Sequence, residues 1–79
     1  MKIAEVVEEA EKCFAYYQER EPDRAVRESM TCILSDLGKC GEEGAVILKT
    51  LDMAKFFRVM MESDDTQMWK LIEILKENG

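Results

Sequence analysis

Histidine is absent from the 79 residues. The chain therefore lacks the commonest metal ligand and the side chain that most often moves protons near neutral pH. There are three cysteines. Cys13, Cys32 and Cys40 form no C-x-x-C pair, and three thiols without an imidazole do not complete an ordinary structural zinc site. An odd count with no partner spacing points to a reducing compartment. Proline occurs once and glycine four times, so few positions break a helix. No period-2 alternation marks a strand. The longest apolar run, Ala45-Val46-Ile47-Leu48, falls far short of the ~20 residues of a membrane span. The first residues turn acidic at Glu5, before any apolar stretch of a secretion signal could form. No membrane association and a cytoplasmic location are the expectations.

What is present is apolar and acidic. Hydrophobic residues make up 47%, and seventeen acids oppose eleven bases for a net charge of −6. That apolar content supports a core and argues against disorder. The length fits one domain, residues 1–79, exposing roughly 5,000 Å² when folded, with a small core. The acidic balance disfavours direct contact with a phosphate backbone, which calls for clustered Lys and Arg.

The breaks divide the chain into four segments. Glu21-Pro22 separates the first two, since Pro is favoured at a first helical position and pushes its predecessor out of the helical region. Gly41 and Gly44 bracket the second break, and Ser63-Asp64-Asp65 marks the third. Asp64 with Gln67 three residues on resembles a capping box. Good helix formers fill the intervals. The expected fold is all-α: a small up-down-like bundle of about four helices, roughly 2–20, 22–39, 43–62 and 65–77, with short loops.

Three segments each show one apolar stripe at i, i+3, i+4, i+7 spacing. In the first it runs through Ile3, Val6, Val7, Ala10, Cys13, Phe14 and Tyr17. In the second it comprises Val26, Met30, Ile33, Leu34 and Leu37, and in the fourth Met68, Leu71, Ile72 and Leu75. The third segment differs. Val46, Thr50, Met53, Ala54, Phe57, Met60 and Met61 form one stripe, expected to face the core with Phe57 near its centre. Leu48, Leu51, Phe56 and Val59 lie on a second side among Asp52, Lys55, Arg58 and Glu62. A helix apolar on two sides is either central in its own fold or buried against another molecule. Residues 45–63 are also the only segment whose bases, Lys49, Lys55 and Arg58, outnumber its acids.

The candidate chemistry is thin. Paired carboxylates at Glu42-Glu43 and Asp64-Asp65 stand at helix starts, where acids favour the positive dipole end. Cys13 falls on a core stripe. Cys32 lies off it between Glu28 and Asp36, which raise a thiol pKa. Cys32 is therefore expected to meet a thiol reagent before Cys13. Cys40 sits at a helix C-terminus, the wrong dipole end for a thiolate. No catalytic, metal or cofactor residues are assigned, and no enzyme activity or cofactor is expected.

Binding is the expected function. The lead reading is an intracellular protein–protein interaction module: a small acidic regulator, adaptor or inhibitor that forms a homodimer, with an antagonist of a nucleic-acid-binding machine as one form of it. Its protein-binding residues would be Leu48, Leu51, Lys55, Phe56, Arg58 and Val59, where an apolar centre carries a charged rim. A second face on the first helix, with Glu5 and Glu9 around Tyr16, could meet a basic partner. The alternative is a dimeric helix-turn-helix-like DNA-binding transcriptional regulator with 43–62 as its recognition helix.

Overall fold

Pro22 and two aspartates set most of the helix starts. In the computed structural model, which describes residues 1–78, five helices follow one another: α1 (Ile3–Arg20), α2 (Pro22–Leu37), α3 (Gly41–Thr50), α4 (Met53–Glu62) and α5 (Asp65–Asn78). The all-α class holds, and the helix count is five where about four were expected. At the start of α1, the Glu5 carboxylate accepts from the Lys2 N–H at 3.2 Å, half of a capping box. Pro22 occupies the first turn of α2. The Asp64 carboxylate accepts from the Gln67 N–H at 3.4 Å and so caps α5.

The additional break falls at Leu51-Asp52. Leu51 is extended, with φ −76° and ψ 136°. The Asp52 carboxylate accepts from the Lys55 N–H at 3.2 Å and caps α4. Leu51 and Phe56 occupy the two positions of a hydrophobic staple around that cap, and both pack in or against the core. The 43–62 segment is therefore two helices, not one.

α2 is the hub. It packs against α1, most extensively, and against α3, α4 and α5, while α5 also lies on α1 and α4. The core joins Ile3, Val6, Val7 and Ala10 of α1 to Val26, Met30, Ile33 and Leu37 of α2 and to Met68, Leu71, Ile72 and Leu75 of α5. These are the stripes expected for those segments. Phe14 and Trp69 close one side edge to face, with ring centroids 5.1 Å apart. The accessible surface is 5096 Å², and the radius of gyration of 11.6 Å is that of a compact chain of this length.

At α4 the expectation reverses. Phe56 and Val59 enter the core, at 4% and 6% exposure, whereas Phe57 is 51% exposed and Met61 86%. The break is the reason. It frees α4 from the register of α3, so the two helices turn independently toward α2. Leu48 and Leu51 are half-buried against the core, and Val46 points outward. Gly44 explains how closely α3 approaches. A β-carbon there would overlap the Leu37 carbonyl oxygen and come within 2.8 Å of the Cys40 β-carbon. The backbone of α3 thus rests directly on the end of α2. Gly41, at φ 64°, supplies the left-handed turn between them.

Candidate functional site

α4 presents two surfaces, one on each side of its buried edge. The first is a groove of about 340 Å³ shared with α5. Met30, Phe56, Val59 and Leu71 form its floor, Leu51 and Ile74 its apolar walls. Asp52, Lys55, Gln67 and Lys70 ring the mouth with Thr50. Neither Lys55 nor Lys70 joins an ion pair among the described residues. The two lysines against one aspartate give the mouth a local positive balance in an acidic chain.

The second is the outer face of α4. Met53, Phe57 and Met61 stand at i, i+4, i+8 and are 36%, 51% and 86% exposed. Ala54, Arg58 and Glu62 continue the exposed side. Toward α2 the face ends in a shallow hollow of about 480 Å³ between Asp23 and Arg27 on one wall and Phe57, Met60 and Met61 on the other. Large apolar side chains in a row at a helix surface are the informative kind of exposure. The residues of this face were expected inside, so pattern reading assigned the right helix and the wrong side.

Four of the expected binding residues, Leu51, Lys55, Phe56 and Val59, meet at the groove. Phe56 and Val59 do so as floor and core, not as an outer patch. Leu48 packs against the core, and Arg58 lies exposed on the far side of α4. Tyr16, Glu5 and Glu9 sit on α1, which packs against α2 and α5. Tyr16 is half exposed, but the Arg20 guanidinium lies over its ring at 4.0 Å and Tyr17 meets it edge-on at 5.1 Å. An intramolecular cation–π contact therefore accounts for an aromatic ring on that acidic face. The residues that sequence reasoning missed are Met53, Phe57 and Met61 on the outer face and Lys70 and Ile74 at the groove. Asp52 at an N-cap position with Leu51 and Phe56 flanking it was the signal that would have found the break.

The thiols are held protonated. All three cysteines are free and half-buried. Burial is the main cause of the upward shift at each, and Cys32 is pushed up to about 11 because the negative charge of Asp36 also lies beside it, with its Sγ donating to that carboxylate at 3.5 Å. Cys13 is no more enclosed than Cys32, so the expected contrast in reactivity has no basis in exposure. Glu42, Glu43 and Asp65 lie in the first turns of their helices. Among the described residues no cluster of thiols and carboxylates could hold a metal ion, and no helix is long and apolar enough to cross a membrane. Lys49 lies on α3 and Lys55 and Arg58 on α4, so the continuous recognition helix over 43–62 is absent.

Compared with protein-family models, with curated proteins and with solved structures, the chain has no match.

Proposed function

We propose that this chain is a non-enzymatic protein–protein interaction module, a small regulator or adaptor that pairs with a second copy through the outer face of α4. One observation carries the reading: Met53, Phe57 and Met61 form an exposed apolar row on a helix whose other edge is already buried. Two-fold pairing of antiparallel α4 helices about Phe57 would set Met53 of one copy opposite Met61 of the other, the self-complementarity that an isologous interface needs. Arg58 supplies a base and Glu62 an acid on the exposed side of α4, so the rim can pair with its own copy. Elsewhere acids predominate, and two chains of net charge −6 repel. The α4 segment is where that repulsion is least.

The area sets the strength. At ~200 Å² for a large side chain, the three exposed residues offer roughly 350 Å² of apolar surface. A standard interface buries about 800 Å² per partner, so the rim must contribute the remainder and the affinity is modest. The wild type is expected to sediment as a dimer at high micromolar concentration. Phe57→Glu should sediment as a folded monomer, because Phe57 is not part of the core. A wild type that stays monomeric, or a Phe57→Glu chain that still dimerises, removes the reading.

A further inference from the structure

We infer that the groove between α4 and α5 is a ligand site for a small carboxylic acid with an apolar body. This inference is independent of pairing through the outer face, because it uses the opposite edge of α4.

The floor is apolar and already built. Met30, Phe56, Val59 and Leu71 are all buried side chains of the core, contributed by three different helices. Their positions are fixed by packing and not by a ligand, so the site is preorganised. The mouth is cationic. Lys55 and Lys70 flank it from α4 and α5, and neither is engaged with a carboxylate among the described residues. Asp52, the one acid at the mouth, accepts from the Lys55 N–H as the α4 cap and leaves the mouth two cations against one anion. An occupant with an apolar body and one negative end satisfies both features. Its chain removes the floor from water, and its carboxylate receives charge-assisted hydrogen bonds from the ammonium groups.

Size separates a small acid from a partner helix. The groove's volume of about 340 Å³ lies at the lower end of the roughly 300–1,000 Å³ of small-molecule sites, the scale of a small acid such as an eight-carbon one. A docked helix is ~10–12 Å across and presents a row of anchors along several turns. One hollow of this volume offers it a single anchor point.

Octanoate is the direct probe. Titrated into the isotope-labelled protein and followed by NMR, it should give saturable shifts at Leu51, Phe56, Leu71 and Ile74. 1-Octanol should bind about tenfold more weakly, since it lacks the charge-assisted contact worth roughly one decade. Lys55→Gln with Lys70→Gln should lose about the same factor for octanoate and leave 1-octanol unchanged. Both lysines are exposed, so the double variant retains the fold. Non-saturable shifts would overturn the site. So would shifts confined to Met53, Phe57 and Met61, or equal binding of acid and alcohol with no effect of the double variant. Selective shifts from an acidic amphipathic peptide with none from octanoate would also overturn it, in favour of a protein ligand.

Discussion

Phe56 and Phe57 are neighbours in sequence with opposite environments, their rings edge to face at 6.3 Å. Phe56 is 4% exposed and Phe57 51%. Truncating a buried Phe removes both transfer free energy and packing, so Phe56→Ala is expected to cost ~3–5 kcal/mol. That is a large part of the ~5–15 kcal/mol that holds a small domain folded. Phe57→Ala should change the stability of the monomer by no more than about 1 kcal/mol. Urea unfolding of both variants at low protein concentration checks the pair, and equal midpoints would contradict the assignment of the two faces. Both residues belong to apolar stripes of comparable quality, which is why the sequence pattern alone chose the wrong one. A periodicity argument measures amphipathicity along one axis. It cannot choose between two sides when both are apolar, and it fails once the axis changes direction. The stripes of α1, α2 and α5 were legible because each of those helices has one apolar side and no internal break.

At the scale of the element, the decisive feature is the Asp52 cap. Without it, Val46 through Met61 would form one helix whose apolar sides could not both face α2. With it, α3 lays Gly44 against the Leu37 carbonyl while α4 turns Phe56 and Val59 inward. Pro22 and Asp64 were readable as punctuation because each stands beside an obvious change in composition. Asp52 stands inside a helix-forming run, where it resembles an ordinary solvated charge. Its role follows from Leu51 and Phe56, the apolar residues at the staple positions around it. Asp52→Ala should therefore cost about 1 kcal/mol and Asp52→Ser much less, since Ser also accepts from the backbone. Thermal melts of the two variants test the cap, and an Asp52→Ala chain as stable as the wild type would leave the break without a cause. At the other end of α4, Ser63 adopts φ 54° to close the helix, and its N–H donates to the Val59 carbonyl. α4 is thus bounded on both sides by local chemistry. It holds its two surfaces in place as a short, separately terminated unit.

For the whole molecule, missing histidine and protonated thiols combine into one pH profile. No side chain type in the sequence has an ordinary pKa between the carboxylates and the thiols. The alkaline side is different. Cys32 faces Asp36 on its own helix and Glu9 and Cys13 across the α1–α2 contact, and burial with these charges lifts its thiol from 9.0 to about 11. In the unfolded chain that thiol ionises near 9.0, while in the folded chain it keeps its proton to higher pH. The unfolded state therefore holds fewer protons over this interval, and stability falls as pH rises through it. The contribution is fully present below pH 9 and is lost by about pH 11. Its slope is at most ~1.4 kcal/mol per pH unit for a single thiol. Cys32→Ala removes this dependence while Asp36 and the rest of the contact remain. Urea unfolding of both proteins at pH 8, 9, 10 and 11 should show the wild type losing stability relative to the variant only above pH 9. A difference that stays constant across the series would mean that the Cys32 thiol ionises alike in the folded and unfolded chains, and that the α1–α2 contact does not shield it.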